Sequence, residues 1–224
     1  MRPDIVPGAV FPDYELSDHT GKHRKLSELQ GQHPMVLVLS RGGFCPKDRR
    51  QSEGLLELHR EMEVGYCRLV TISTDNITET SEFRSGVGAH WPFLSDVRRI
   101  LQKDLDIAEY TDPAHNPMIP YTIVLEPGLV VYKIYNGYWF FGRPTLDDLR
   151  QDLRADMREF NSGHVAELFL SVVCYSNGSD AVIDDDVLVI LAVSNLHEGC
   201  WTWRPRSGQC HTAAQRIPHL SSLR

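Results

Sequence analysis

The chain of 224 residues lacks any apolar run that could cross a bilayer as a helix. Its longest uninterrupted apolar segment, Val187 to Val193, is far shorter than the roughly 20 residues that a spanning helix needs. The first residues, Met1 to Pro7, also lack the apolar core of a secretory signal peptide. We therefore expect neither a membrane-spanning nor an exported protein, and we predict a cytoplasmic location.

The sequence also lacks an excess of positive charge. It has 23 Lys and Arg against 30 Asp and Glu, a formal net charge of −7. A mildly acidic chain of this kind favours neither nucleic acid nor an anionic membrane as its partner. The apolar content of 42% and the charged content of 24% are ordinary for a folded domain, which excludes wholesale disorder and a long coiled coil.

Cysteines are few, odd in number and irregularly spaced, which argues against a secreted disulfide framework. The five are Cys45, Cys67, Cys174, Cys200 and Cys210. In a reducing cytosol we expect free thiols, most of them buried and inert. The spacing of Cys200, Cys210 and His211 is only a weak zinc signal, so we predict no metal and no cofactor.

The composition changes near residue 160. Residues 1–160 hold 43 of the 53 formal charges, whereas residues 161–224 contain no lysine but three of the five cysteines. We predict a compact domain over 1–160 and an atypical C-terminal extension over 161–224. One hypothesis for the extension is translation in an altered reading frame, because its composition is unlike that of the domain.

The pattern of the domain predicts strand, turn, helix and strand in succession. Met35–Leu39 is a continuous apolar run, as in a strand that is buried on both faces. Pro46–Glu63 has helical spacing and Tyr66–Ser73 returns as a strand. This order is a βαβ unit with a parallel strand pair and a right-handed crossover.

The second half of the domain predicts an antiparallel hairpin and further helices. Pro127 and Gly128 fit the centre of a type II turn between two strands. Thr145 with Asp148 resembles a capping box at the start of the last helix. We therefore predict an α/β fold with a mixed sheet and helices on both faces. The other predicted elements are the helical segments Leu26–Leu29, Glu79–Ser85 and Val97–Leu105, and the strands Tyr14–Leu16, Tyr121–Leu125 and Leu129–Tyr135.

Cys45 is the strongest candidate for chemistry. It stands between the end of a buried strand and the first turn of a helix, where catalytic groups collect in open α/β sheets. The positive end of a helix stabilises a thiolate and lowers the pKa of a cysteine placed there. Gly42 and Gly43 before it and Pro46 after it suit an exposed sulfur at a helix start. We predict a nucleophilic Cys45, with a buried structural thiol as the alternative.

Charged residues surround Cys45 in the sequence. Arg41, Lys47 and Arg49 would add positive potential if they point inward, whereas Asp48 would oppose it. Pro120 stands just before a predicted strand, and its local sequence alone favours an ordinary trans bond.

Several short stretches follow one another along residues 8–160 in a characteristic order and spacing: Gly8–Asp18, Leu26–Gly31, Met35–Leu39, Thr71–Asp75 and Trp91–Asp96. In this order they resemble the peroxiredoxin (alkyl hydroperoxide reductase/thiol-specific antioxidant) branch of the thioredoxin-fold superfamily, with Cys45 at the position of the peroxide-attacking cysteine. The resemblance covers about two-thirds of the chain. The resemblance implies a thioredoxin-like three-layer fold.

The sequence departs from the family pattern around the cysteine. The family has proline, then threonine or serine four residues later, then cysteine after three more; here these places hold Val38, Gly42 and Cys45. The hydroxyl that would bind the peroxide is therefore absent. Pro120 occupies the place of a supporting arginine, where thioredoxins carry a cis-proline, so the resemblance favours a cis Ile119–Pro120 bond.

The resemblance implies an antioxidant oxidoreductase in which Cys45 reduces hydroperoxides and an external thiol, thioredoxin-like or of low molecular weight, resolves the oxidised cysteine. Alternatives are a thiol–disulfide oxidoreductase and a redox-inactive binding module with a groove near Pro120. A homodimer is also compatible with the sequence. The predicted site comprises Cys45 as nucleophile, Arg41, Gly42, Gly43, Phe44, Pro46, Asp48 and Pro120 as loop supports, and Arg49 and Arg84 as candidate thiolate stabilisers.

Overall fold

A computed structural model describes residues 1–137 and 142–155, together with the backbone of 202–203 and 211–212. The chain divides into two units, Met1–Phe160 and Asn161–Arg224. In the second unit, Thr202–Trp203 pairs with His211–Thr212 in antiparallel orientation. The predictions for the extension, including the weak zinc signal at its cysteines, otherwise fall outside the described residues, and the predicted two-domain division stays a prediction.

The first unit alternates strands and helices. Its strands are β1 (Glu15–Asp18), β2 (His23–Lys25), β3 (Met35–Leu39), β4 (Arg68–Ser73), β5 (Phe93–Ser95), β6 (Tyr121–Glu126) and β7 (Val130–Asn136). Its helices are α1 (Leu26–Gln30), α2 (Pro46–Val64), α3 (Ile77–Val87), α4 (Ile100–Asp104) and the described part of α5, residues 146–155. Within this unit, no described helix has the length and apolar character that a bilayer crossing requires.

The strands form one mixed sheet in the order β2-β1-β5-β4-β3-β6-β7. The central strand β3 pairs in parallel with β4 and in antiparallel orientation with β6. β6 and β7 form the predicted antiparallel hairpin, and Gly128 in its turn has φ +81°, which glycine adopts without a steric penalty. The predicted mixed sheet is therefore confirmed.

Two apolar cores cover the two faces of this sheet. Alternate residues of β3 point to opposite faces, as in any strand. Val36 and Val38 pack with residues of α2, α3 and α5, whereas Leu37 and Leu39 pack with residues of α1 and α4. Helices thus lie on both faces, and the three-layer fold is confirmed.

Helix α2 directs its N-terminus to the edge of the sheet where β3 and β4 end. Pro46 occupies its first turn, where a missing amide hydrogen costs nothing. Leu55, Leu58 and Met62 form its buried face. The βαβ unit therefore brings the loop that joins β3 to α2 to the edge of the sheet where functional sites collect.

Candidate active site

Cys45 is the N-cap residue of α2, with an extended backbone at φ −84° and ψ 114°. Its amide donates to the carbonyl of Gly42 over 3.1 Å, and its own carbonyl accepts the amide of Arg49 over 3.1 Å. The first bond closes a tight turn after β3, and the second begins the helix. The predicted place of Cys45 between a buried strand and a helix start is therefore observed.

The predicted exposure of Cys45 is wrong. Only 2% of the residue is accessible. The turn folds Arg41 back toward the sulfur, and Nη1 of its guanidinium lies 3.9 Å from Sγ. The sulfur makes no capping hydrogen bond with the helix amides. Arg41 is therefore the observed polar contact of the sulfur, and the helix acts on it through its positive end alone.

Two carboxylates hold the Arg41 guanidinium. Its Nε lies 2.8 Å from Oε2 of Glu109, and its Nη2 lies 3.1 Å from Oδ2 of Asp112. Both acidic residues belong to the loop that joins α4 to β6. The sequence placed Arg41 near Cys45, but it gave no signal for these partners because they lie about 70 residues away in a segment without periodic pattern.

An aromatic pair lies beside this charge cluster. Nδ1 of His115 lies 3.0 Å from Oδ1 of Asp112, and this contact, with a smaller effect of Arg41, holds the pKa of Asp112 below its usual range. The His115 ring stacks on Phe44 with centroids 3.8 Å apart and planes 6° apart. The α4–β6 loop therefore contacts the Cys45 loop through rings as well as charges.

Asp48 is buried and paired. Its Oδ2 accepts the backbone amide of Arg41 over 2.8 Å. Its Oδ1 accepts Nε of Arg143 over 2.9 Å and also bonds Nη2 of that guanidinium. Asp48 thus ties the turn to the start of α2, and Arg143 balances the negative charge that the sequence placed near the thiol. Arg143 was not predicted, although a buried carboxylate requires such a partner.

The Asp75 carboxylate explains the glycine at position 42. Gly42 has φ +121°, and a Cβ there would lie 2.3 Å from Oδ1 of Asp75. Oδ2 of Asp75 accepts the amide of Gly43 over 2.8 Å, and burial raises the pKa of Asp75. A residue with a hydroxyl cannot replace Gly42 without displacing this carboxylate. Asp75 follows β4, the parallel neighbour of β3, so its approach to the loop follows from the topology.

Arg49 and Arg84, the two candidate thiolate stabilisers, contact other groups. The Arg49 guanidinium lies 5.7 Å from the centroid of the Phe83 ring. Arg84 donates to the carbonyls of Trp91 and His90, each over 2.9 Å. Their predicted roles therefore draw no support from these contacts.

Pro120 lies beside the Cys45 loop, because the next residue, Tyr121, pairs with Leu39 at the end of β3. The predicted cis form of the Ile119–Pro120 bond is wrong, since the described chain has no cis peptide. The trans form is intrinsically favoured by about 0.5–1 kcal/mol. The Pro120 carbonyl accepts the amide of Gly137 over 2.7 Å.

A cleft of about 550 Å³ opens beside the Cys45 loop. Its walls combine the loop, the start of α3 and the α4–β6 loop. Among the lining residues are Gly43, Phe44, Asp75, Glu79, Arg99 and His115. No group of three or more His, Cys, Asp or Glu suited to a metal ion occurs among the residues that the structure describes.

Comparisons with known proteins agree with this fold. Residues 7–134 match the model of the AhpC/TSA family. Two proteins of Mycobacterium tuberculosis, from the CDC 1551 and H37Rv strains, are provisionally named as peroxiredoxins and are 30% identical over 91 residues. That match covers 41% of this chain and 59% of each relative, so the similarity spans well under two-thirds of their length.

Solved structures share the fold. Peroxidoxin BcpB of Mycobacterium tuberculosis superposes with a TM-score of 0.57 at 22% identity, covering 68% of this chain and 96% of that protein. Enterococcus faecalis AhpC gives a TM-score of 0.57 at 16% identity, covering 82% of this chain and all of that protein. At such identities the likeness establishes the fold alone.

Proposed function

The chain belongs to the AhpC/TSA family, and from this premise we propose that it is a thiol peroxidase whose nucleophile is Cys45. The observation that carries the proposal is the 3.9 Å contact between Arg41 Nη1 and Cys45 Sγ at the N-terminus of a 19-residue helix. A guanidinium and a helix N-terminus both stabilise a thiolate, which is the reactive form of cysteine.

The reaction is a transfer of oxygen to sulfur. The Cys45 thiolate attacks one oxygen of a hydroperoxide, so that the S–O bond forms as the O–O bond breaks. The departing alkoxide or hydroxide takes up a proton, and Cys45 becomes a sulfenic acid. Arg41 Nη1 lies 3.9 Å from the sulfur, so it faces the negative charge of the thiolate before the attack.

Burial of Cys45 favours a small hydroperoxide over a disulfide as substrate. A sulfur in a residue that is 2% exposed cannot take the in-line approach of a protein disulfide without movement of its loop. The sequence position that would hold a second active-site thiol carries Asp48, which is paired with Arg143. Both observations set the loop apart from a dithiol exchange site.

Cys67, the other cysteine among the residues that the structure describes, lies too far from Cys45 to resolve it. Cys45 lies at the N-cap of α2 and Cys67 lies just beyond its other end, so about 28 Å of helix separates them at 1.5 Å per residue. A disulfide needs Cα atoms within about 7 Å. We therefore propose that the Cys45 loop moves to expose the sulfenic acid and that a low-molecular-weight or thioredoxin-like thiol attacks it, releases water and forms a mixed disulfide, which a second thiol then reduces. A cytoplasmic location and a homodimer stay predictions.

The test is to trap the sulfenic acid. The reduced protein is mixed with one equivalent of hydrogen peroxide and dimedone, and the labelled peptide is mapped by mass spectrometry. We expect the label on Cys45, no such label in Cys45→Ser, and an unchanged yield in the control Cys67→Ser. Labelling of another cysteine, or oxidation that survives in Cys45→Ser, would contradict the proposal.

The same assay separates the alternatives. Reaction of Cys45 with a small disulfide but not with peroxide would indicate a thiol–disulfide oxidoreductase. A Cys45 that reacts with neither would leave a binding module. The three cysteines of the extension, Cys174, Cys200 and Cys210, lie outside the described residues, so a triple serine variant should be mapped in parallel. Its Cys45 should be labelled as in the parent protein.

A further inference from the structure

The contacts of Arg41 extend beyond the sulfur, and we propose that Glu109 is a positioning residue that fixes the Arg41 guanidinium against Cys45. This inference depends on the proposed function only for the reaction that Arg41 assists, which is the oxidation of Cys45 by a hydroperoxide. Three atoms of one guanidinium have three separate partners: Nε faces Glu109, Nη2 faces Asp112 and Nη1 faces the sulfur.

The geometry of arginine makes such positioning effective. A guanidinium is a rigid, planar group, so fixing Nε and Nη2 also fixes the direction of Nη1. A free arginine side chain samples many rotamers, and contacts at two of its atoms restrict them to the one that faces the sulfur. The side chain of Glu109 is 13% exposed and that of Asp112 is 21% exposed, so solvent screens these ion pairs only in part.

Glu109 is itself held in place. Its Oε1 accepts the hydroxyl of Thr111 over 2.7 Å, while Oε2 faces Arg41. Its backbone amide donates to the carbonyl of Pro117 over 2.9 Å, next to a bridge between Ala108 and Met118. Asp112, in contrast, divides its contacts between Arg41 and His115. A continuous path therefore runs from Thr111 through Glu109 and Arg41 to the sulfur.

A role of Glu109 through its charge and a role through the positioning of Arg41 predict opposite effects on the reactivity of Cys45. As a charge, Glu109 offsets the positive potential of Arg41, so its removal by Glu109→Gln should speed reactions of the thiolate. As a positioning group, it should be replaceable by glutamine, whose side chain has the same length and keeps a polar oxygen in contact with Nε, but not by alanine. A purely structural role would give the same loss whether or not residue 41 is arginine.

The experiment is a double-mutant cycle in the full-length protein. We measure the rate constants of Cys45 alkylation by iodoacetamide and of its oxidation by hydrogen peroxide in the parent, Glu109→Ala, Glu109→Gln, Arg41→Met and the double variant Arg41→Met/Glu109→Ala. We expect Glu109→Ala to slow both reactions about tenfold and Glu109→Gln to stay within about threefold, as for contacting residues. In the Arg41→Met background, Glu109→Ala should have no further effect.

Other outcomes overturn the inference. They are an unchanged or faster Glu109→Ala, a Glu109→Gln as slow as Glu109→Ala, or an equal loss in the Arg41→Met background. If Glu109→Ala fails to fold, Thr111→Val releases Oε1 alone and should slow both reactions about twofold to threefold. The parent protein could also resist peroxide while Glu109→Ala still slows alkylation of Cys45. That result would contradict the proposed function and leave the positioning role of Glu109 intact.

Discussion

Replacement of Gly42 by alanine tests why this loop departs from the family pattern. The substituted residue would have to adopt φ +121°, where a side chain costs about 1–3 kcal/mol. Its Cβ would also lie 2.3 Å from Oδ1 of Asp75, so the carboxylate must move. That movement breaks the 2.8 Å bond from the Gly43 amide, and hydrogen bonds to charged groups contribute about 1.5–3 kcal/mol. We expect Gly42→Ala to lower the free energy of unfolding by roughly 3–5 kcal/mol.

The matched control is Gly54→Ala in the interior of α2. A Cβ there meets only Cδ2 of Leu146 at 3.8 Å, which is an ordinary contact. Alanine is favoured over glycine within a helix by about 0.8–1 kcal/mol, so this variant should gain stability where Gly42→Ala loses it. Urea unfolding at neutral pH, followed by circular dichroism, measures both changes against the parent.

The role of Asp75 is checked by combining Gly42→Ala with Asp75→Ala. Without the carboxylate, only the backbone penalty of about 1–3 kcal/mol should remain for the change at position 42. A Gly42→Ala variant as stable as the parent would refute the reasoning. So would one whose cost is the same with and without the Asp75 side chain.

Three further predictions follow from charges and caps. Burial raises the pKa of Asp75, so its ionised form destabilises the fold as pH rises above about 3.9; Asp75→Asn should therefore raise the melting temperature more at pH 7 than at pH 4. Arg143→Met leaves the buried carboxylate of Asp48 unpaired and should cost about 3–5 kcal/mol in urea unfolding. Thr145→Ala removes the observed capping box with Asp148 and should cost about 1 kcal/mol in the same assay.

The sequence predicted the elements whose pattern is long or strongly apolar. The continuous apolar run predicts the strand Met35–Leu39, and helical spacing predicts the helix from Pro46. Both elements are observed. The strands β2 and β5 were missed, because three residues are too few to show the alternation of a strand. The start of α4 was placed at Val97 rather than Ile100, where Asp96 accepts the first helical amide.

The site was predictable only where its residues are close in sequence. Cys45, Arg41 and Asp48 lie within one turn and helix start, and their proximity follows from that segment alone. Asp75 follows a parallel neighbouring strand, so the topology could have indicated it. Glu109 reaches the site from a loop without periodic pattern, so its contact with Arg41 could not be predicted from the sequence. The burial of Cys45 depends on contacts between distant segments and could not be predicted either.

The most direct test of Cys45 as a peroxidase nucleophile is a turnover assay with two oxidants. Consumption of hydrogen peroxide and reduction of a small disulfide are measured side by side, with a low-molecular-weight thiol as reductant, for the parent, Cys45→Ser and Cys67→Ser. Peroxide consumption should be the faster reaction, vanish in Cys45→Ser and persist in Cys67→Ser. Peroxide turnover that survives in Cys45→Ser, or faster turnover of the disulfide, would contradict the proposed function.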